Sequence, residues 1–182
     1  LVANVDDFDA DKLVENMEDA FEITSYQFDN DKEKIIMREQ MFSQLRLEFE
    51  DLKNAFGIYA GGKAFYIAVL KDSVLMDRFG EMSAAAKGLD VNVLHKLILE
   101  DVLGIGDEQL ASQSNVKYIK DIGDAIKQSI AKVDSNESQI VFFMNPTRVE
   151  QVRDIAAAGE KMPQKSTFFY PKIFTGLVIN KL

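Results

Sequence analysis

The order of hydrophobic and polar residues divides this chain into short, well-marked elements. Apolar side chains at three- and four-residue steps predict amphipathic helices over residues 9–20 and 31–53. We expect the longer helix to be acidic on its outer face and to include Ile35 and Leu52 in its apolar stripe. Between the two helices, the alternating residues from Ile23 to Phe28 predict a half-buried strand.

A glycine pair near the middle of the chain predicts a β-hairpin. Two runs rich in β-branched and aromatic residues, 56–60 and 64–70, flank the turn Gly61-Gly62-Lys63. Glycine adopts the positive φ angles that a tight hairpin turn needs, so this order favours two antiparallel strands joined directly.

A further strand is predicted over Ile140 to Met144, where every residue is apolar. Such a run is typical of a central strand that is covered on both faces. We expect it to lie in the same sheet as the hairpin. Because side chains alternate along a strand, Val141 and Phe143 should point to one face and Phe142 to the other.

The residues after this strand predict a capped helix and a last strand. Thr147-Arg148-Val149-Glu150 fits the capping-box pattern, with Thr147 as the N-cap of a helix that Gly159 ends. Gly176 to Asn180 are expected to form the final strand.

Another capped helix is predicted in the centre of the chain. Asp90 is expected to be its N-cap, Leu103 its last residue and Gly104 its stop, with Leu89 and Leu94 in contact as a hydrophobic staple. Weaker patterns predict a short helix over Ser73–Phe79, a short strand over Val116–Ile119 and a helix over Asp121–Val133.

These elements indicate an α+β fold. A hairpin and single strands alternate with helices, and no internal repeat or flexible linker separates them. We therefore expect a single domain over residues 1–182, built from a mixed, largely antiparallel sheet with packed helices.

Composition limits the chemistry that this chain can carry. With no cysteine and one histidine among 182 residues, thiolate catalysis and cysteine zinc sites are excluded, and we expect neither a metal nor a cofactor on this chain. The one histidine, His95, is interpreted as a structural side chain rather than a catalytic one. The net charge of −9 repels phosphate backbones and anionic lipids, so we expect no nucleic-acid or membrane partner. No apolar run approaches the roughly 20 residues that span a bilayer, which favours a cytoplasmic location.

Charge is unevenly distributed, and the basic end contains the most site-like segment. Residues 1–54 carry 15 acidic and 6 basic side chains, whereas residues 146–182 carry 6 basic and 3 acidic ones. Within the basic end, cations, hydroxyls and an aromatic phenol lie close together in the sequence: Lys161, Lys165, Ser166, Thr167, Tyr170 and Lys172. Charge-assisted hydrogen bonds from these groups suit a small anion such as phosphate or carboxylate. The alternative is a proline-stiffened connection whose aromatic side chains fill the core and whose lysines face water.

The same segment partly matches the sequence motif of a phosphate-binding P-loop, with Gly159 six positions before Lys165-Ser166. Gln164 stands in the place of the second glycine, and the predicted element before the motif is a helix rather than a strand. A P-loop needs a strand before it and a helix after it, so that backbone amides surround the phosphate, and we exclude that motif.

Two parts of the sequence carry a family resemblance. Leu89-Asp90-Val91-Asn92-Val93-Leu94-His95, and the end of the chain with Thr147–Val152, Ala156–Lys172 and Thr175–Asn180, look like the C-terminal end of the bacterial family catalogued as domain of unknown function ten-fifteen. The order Lys-Ser-Thr, aromatics, Pro and Lys is the most specific part of this match. Full-length members look similar, upstream, to the ParB and sulfiredoxin-like nucleotide-binding fold with an Asp-Gly-His-His-Arg motif, and they are distantly similar to free-serine kinases.

The resemblance implies that residues 1–182 are the C-terminal domain of a longer protein, without its nucleotide-binding-like N-terminal half, since Asp-Gly-His-His-Arg does not occur here. On this hypothesis the chain is inactive alone and packs against its own N-terminal domain. It contributes Lys165-Ser166-Thr167 to a shared site for an anionic ligand, or for a nucleotide in the full-length protein. The alternative is a structural or regulatory interaction domain with no ligand site. The oligomeric state is left open.

Overall fold

The computed structural model describes residues 1–72, 74, 78–120, 122–163 and 166. Within them, four strands and seven helices follow one another along the chain. In order, they are α1 (Ala10–Met17), β1 (Phe21–Gln27), α2 (Asp31–Glu50), β2 (Ala55–Tyr59), β3 (Ala64–Leu70), α3 (Ala84–Lys87), α4 (Asp90–Val93), α5 (Asp107–Ser112), α6 (Ala125–Asp134), β4 (Val141–Met144) and α7 (Val149–Ala157). A π-helical segment, Leu94–Glu100, continues α4 directly.

The four strands form one sheet in the order β1-β3-β2-β4, and each neighbouring pair is antiparallel. Gly61 and Gly62 take φ angles of +81° and +70° in the turn between β2 and β3, a conformation that L side chains rarely adopt. The structure thus confirms the α+β fold, the hairpin and the place of β4 in the same sheet. The predicted central position of β4 is wrong, because β4 is the last strand in the described order; its apolar run reflects helices that cover both faces of the sheet, not strands on both sides.

Helices cover both faces of the sheet. On one face, the aromatic and aliphatic side chains pack against α2 and α6 in a buried cluster that includes Met41, Leu45, Tyr59, Phe65, Ile67, Ile130, Val133, Val141 and Phe143. On the other face, α1 and the π-helical segment complete a cluster that includes Met17, Phe21, Phe56, Ile58, Ala68, Leu97 and Ile98. Phe142 packs against this second cluster. The predicted alternation of Val141, Phe142 and Phe143 between two covered faces is confirmed.

The long helix differs from its predicted form. α2 ends at Glu50 rather than at residue 53, and its buried residues are Met41 and Leu45. Ile35 and Leu52, expected in the apolar stripe, are 54% and 76% exposed. Leu52 follows the helix in a left-handed conformation, so it no longer lies on the face that α2 turns to the sheet.

The predicted helix at Asp90 exists, but its start is different. Leu89 occupies the N-cap position, so Asp90 is already inside the first turn and does not cap it. Leu89 and Leu94 are buried in two separate clusters, which means that the predicted staple does not form. The helix then widens into the π-helical segment, which no three- or four-residue periodicity in the sequence predicts.

Several weaker predictions change or fall outside the description. The expected strand over Val116–Ile119 reduces to a single bridge between Val116 and Val2. The predicted helix Asp121–Val133 is observed as α6 over Ala125–Asp134. Most of Ser73–Phe79, and all of Gly176–Asn180, lie outside the described residues. None of the helices in the described part of the chain combines the length and the apolar character that a bilayer-spanning segment needs.

Candidate functional site

The beginning of the predicted anion-binding segment is tied to the end of β4. The Thr147 hydroxyl donates a hydrogen bond to the Ser166 carbonyl over 2.6 Å, and the Ser166 hydroxyl donates to the Pro163 carbonyl over 2.7 Å. Lys161 is exposed on the way from α7 to this point. The other predicted site residues, Lys165, Thr167, Tyr170 and Lys172, lie outside the described residues.

This contact corrects the predicted role of Thr147. The N-cap of α7 is Arg148, whose backbone amide donates to the side-chain oxygen of Gln151 over 2.9 Å. The capping box therefore begins one residue later than predicted and closes on Gln151 rather than Glu150. Because the cap does not need the Thr147 hydroxyl, that group is free to hold the Ser166 carbonyl.

Arg148 joins the start of α7 to the end of α2. Its Nη2 donates to the carbonyl of Phe49 in the last turn of α2, and its guanidinium carbon lies 3.9 Å from the centroid of the Phe49 ring. A cation at a helix C-terminus interacts favourably with the exposed carbonyls there, and the aromatic face adds a cation–π contact. Among the described residues, the Arg148 side chain has these two contacts, and both are with Phe49.

A partly buried carboxyl group lies in the same region. The side-chain amide of Asn54 donates to Asp90 Oδ1 over 2.5 Å and to the Gly88 carbonyl over 2.8 Å. Burial raises the pKa of Asp90 to about 6, while the Asn54 hydrogen bond and the charge of Arg148 partly oppose that rise. We call the group formed by Asn54, Asp90, Thr147, Arg148 and Gln151 the α2–α7 corner.

An acidic residue of the basic end is already engaged elsewhere. Both carboxylate oxygens of Glu160 accept hydrogen bonds from Ser83, one from its backbone amide over 2.9 Å and one from its hydroxyl over 2.6 Å. These bonds lower the pKa of Glu160 and attach the residue before Lys161 to the start of α3. The negative charge nearest the basic segment in sequence is therefore directed away from Lys161.

A second group of polar residues, which the sequence did not predict, lies at the end of the sheet opposite to the α2–α7 corner. Lys34 Nζ donates to the Tyr59 hydroxyl over 2.9 Å and to both carboxylate oxygens of Asp134 over 2.7 Å. The Tyr59 hydroxyl in turn donates to Asp134 over 2.5 Å. Burial, and then the Asp134 carboxylate, raise the pKa of Tyr59, which keeps the phenol neutral.

This group borders an open recess of about 420 Å³ beside the turn at Gly61 and Gly62. Asp29 and Asp31 line the same recess, together with the three residues of the Lys34 group. The only sequence signal for it is the glycine turn, since Lys34 and Asp134 are 100 residues apart.

His95 has a structural environment. It lies on the π-helical segment, where its Nε2 is 2.7 Å from the Tyr118 hydroxyl. Burial lowers its pKa, which favours the neutral ring. Across the part of the chain that is described, no three His, Asp or Glu side chains form a group that could hold a metal ion.

No protein-family model, curated protein or solved structure matches this chain. The resemblance noted in the sequence therefore stays a prediction.

Proposed function

We propose that this chain is the C-terminal domain of a longer protein and that it binds a small anion beside the α2–α7 corner. The basic segment supplies Lys161, Lys165, Ser166, Thr167, Tyr170 and Lys172 to the site. The ParB-like N-terminal domain that the family resemblance implies supplies the rest, so that the ligand is a phosphate-bearing compound and, in the full-length protein, a nucleotide.

The observation that carries this proposal is the hydrogen bond from Thr147 to Ser166. Ser166 is the central residue of Lys165-Ser166-Thr167, and Thr147 is covalently joined to Arg148. One contact therefore ties Ser166, in the middle of the basic segment, to the residue that precedes the half-buried Arg148. Arginine and lysine together suit a phosphate group. The planar guanidinium of arginine can donate two parallel hydrogen bonds to it, and the ammonium group of lysine adds a point charge.

The acidic groups near the site do not oppose an anion strongly. Glu160 is held by Ser83, and Asp90 binds a proton more readily than an exposed carboxyl group does. Asn54 also donates to Asp90, which spreads the negative charge of its ionised form. A basic segment in an otherwise acidic chain then retains a local field that favours anionic ligands.

Calorimetric titration of the full-length protein with ATP, ADP and free serine tests the proposal. Losing one charge-assisted contact costs roughly 1.5 to 3 kcal/mol, so Lys165→Ala should weaken binding of the phosphate compounds by about tenfold or more. Lys63→Ala is the matched control, because Lys63 is an exposed lysine in the hairpin turn. Its loss should leave the affinity unchanged.

Residues 1–182 alone should bind the same compounds weakly or not at all, since the other half of the site is missing. Tight binding by this chain alone would contradict a shared site. Equal affinities for the Lys165→Ala variant and the wild-type protein would remove the basic segment from the site altogether.

A structural or regulatory interaction domain is the second candidate, and one observation favours it. Leu52 and Val149, which lie three residues and one residue along the chain from Phe49 and Arg148, are each 76% exposed. Exposed apolar residues of this kind suit the surface of another domain. If the separately produced N-terminal domain binds residues 1–182 but no phosphate compound binds the assembled protein, the interaction role is supported and the ligand site is rejected.

A further inference from the structure

Helix α2 has apolar side chains on the side that it turns to solvent. Ile36 and Leu47 are 51% and 53% exposed, although Met41 and Leu45 of the same helix are buried in the cluster beneath it. Successive residues are about 100° apart around a helix, so Ile36 and Leu47 lie within about 20° of each other and roughly opposite Met41 and Leu45. The two exposed residues therefore share one outer face, about three turns apart.

The same outer face continues as a stripe along the whole helix. Its members follow one another at three- and four-residue steps, and all are exposed: Lys32, Ile36, Gln40, Ser43, Leu47 and Glu50. We call these six residues the outer stripe of α2. Single exposed apolar residues are ordinary on a protein surface. Here, however, the two aliphatic residues lie at matching distances from two ends that carry opposite charges.

An antiparallel copy of the outer stripe is complementary to this order. When Ile36 of each copy is level with Leu47 of the other, Gln40 is level with Ser43, so aliphatic residues meet aliphatic ones and polar residues meet polar ones. Lys32 of each copy is then within one residue, or about 1.5 Å along the axis, of Glu50 of the other. A parallel arrangement would instead bring like charges together at both ends.

The two end charges are unfavourably placed for the helix itself. Lys32 lies in the first turn of α2 and Glu50 is its last residue. The helix dipole favours acidic side chains at the N-terminus and basic ones at the C-terminus, so both charges are at the wrong end. An antiparallel partner brings an opposite charge to each of them, which offsets this unfavourable interaction.

Net charge also favours self-association at α2 over the acidic start of the chain. Residues 31–53 carry six acidic and five basic side chains, whereas residues 1–30 carry nine acidic and one basic. Repulsion between two chains of net charge −9 is therefore smallest when balanced regions such as α2 approach each other.

We propose that two copies of this chain associate through the outer stripe of α2, as an antiparallel helix pair with two-fold symmetry. One helix of 20 residues, about 30 Å long, contributes from each copy. Such an interface is at or below the low end of the roughly 1,200 to 2,000 Å² that stable complexes bury, so the dimer is weak and its population depends on concentration. The proposal does not depend on the anion site at the α2–α7 corner.

Sedimentation equilibrium of residues 1–182, from about 10 μM to about 1 mM, measures the association. The wild-type chain should pass from monomer to dimer within this range. Leu47→Gln keeps the charge and a good helix former but removes an aliphatic side chain from each half of the interface, and it should weaken the dimer at least about tenfold. Met82→Gln is the matched control, because Met82 is similarly exposed and lies outside α2. It should leave the association unchanged.

Exchange of the end charges tests the orientation of the two helices. Lys32→Glu or Glu50→Lys alone places like charges together at both ends of the pair and should weaken the dimer about tenfold. The double variant restores opposite charges and should restore the wild-type affinity. Each substitution agrees better with the helix dipole than the wild-type residue does, so the helix content measured by circular dichroism should not fall.

The single variants also distinguish specific pairing from general charge repulsion. Glu50→Lys changes the net charge from −9 to −7, which on general repulsion alone would strengthen the dimer. A chain that stays monomeric up to about 1 mM overturns the proposal. A dimer that Leu47→Gln does not weaken, or that Met82→Gln weakens equally, overturns it as well. A dimer that Glu50→Lys strengthens, or that the double variant fails to restore, rejects the antiparallel pair.

Discussion

Replacing Asp90 with asparagine is expected to stabilise the protein at neutral pH and to leave its stability unchanged in acid. Burial raises the pKa of Asp90 from 3.8 to about 6. Folding therefore favours the protonated carboxyl group over the ionised carboxylate. Asparagine has nearly the same shape, and its side-chain oxygen can still accept the 2.5 Å hydrogen bond from Asn54.

The sign and the size follow from proton linkage. A carboxyl group with a raised pKa binds more protons folded than unfolded between pH values of about 4 and 6, so the free energy of unfolding falls as the pH rises through this range. The loss is complete above pH 6, and a shift of about two pKa units corresponds to about 3 kcal/mol. The variant avoids this loss but gives up the attraction between Asp90 and Arg148. We therefore expect a gain of about 1 to 3 kcal/mol at pH 7.5, or several degrees in Tm for a chain of this size.

Thermal unfolding of both proteins at about pH 4 and about pH 7.5 measures this difference. Asp19→Asn is the matched control, because Asp19 is exposed in the turn that follows α1. That variant should have the same Tm as the wild-type protein at both pH values. A variant at Asp90 that is no more stable than the wild-type protein at neutral pH, or equally more stable at both, would refute the role of burial.

Three further substitutions test one contact in each polar group and one in the core of the sheet. Thr147→Ala should destabilise the protein by about 1 kcal/mol in urea unfolding through loss of the bond to Ser166, whereas Thr147→Ser should not; equal effects would contradict this contact. Tyr59→Phe should cost about 1 to 3 kcal/mol, since it leaves a carboxylate of α6 without its phenol donor, and an unchanged midpoint would show that water replaces it. Gly57→Ala places a methyl group 3.0 Å from Met41 Sδ, and we expect a loss of about 1 to 3 kcal/mol unless that flexible side chain moves aside.

The elements predicted best from the sequence are those with a short-range cause. The turn at Gly61 and Gly62 needs only the backbone freedom of two residues. Helix α1, predicted from residue 9, begins one residue later because Asp9 caps it and accepts from the backbone amides of Asp11 and Lys12. The apolar run in β4 predicts a strand with both faces covered, but its place at the end of the strand order depends on distant parts of the chain.

The α2–α7 corner depends on partners that are distant in the sequence. Asn54 and Asp90 are 36 residues apart, and Arg148 reaches a carbonyl 99 residues away. A capping pattern predicts Thr147 as an N-cap, but tertiary structure gives its hydroxyl a different acceptor. The π-helical segment was not predicted either, and its residues Leu97 and Ile98 are buried against elements that are distant in the sequence. The sequence indicated Ser166 as part of a candidate segment, but not the hydrogen bond that it accepts from Thr147.

Charge distinguishes the two ends of the sheet as places for the anion that we propose. In the recess beside the hairpin turn, Lys34 already contacts both oxygens of Asp134, and Lys63 lies 3.4 Å from Asp29. A phosphate that bound here would have to compete with the carboxylates that these lysines already contact. The carboxylate of Asp31, which also lines the recess, would repel it.

At the corner, the described bond of the Arg148 guanidinium goes to a carbonyl, which is neutral. An anion can therefore approach this cation without competing with a carboxylate hydrogen-bonded to it. The nearby acid, Asp90, has a pKa that burial raises, so its charge is removed more easily than that of an exposed carboxyl group. The end of the sheet with the larger number of lysine contacts is thus the poorer anion site, because those contacts are already occupied.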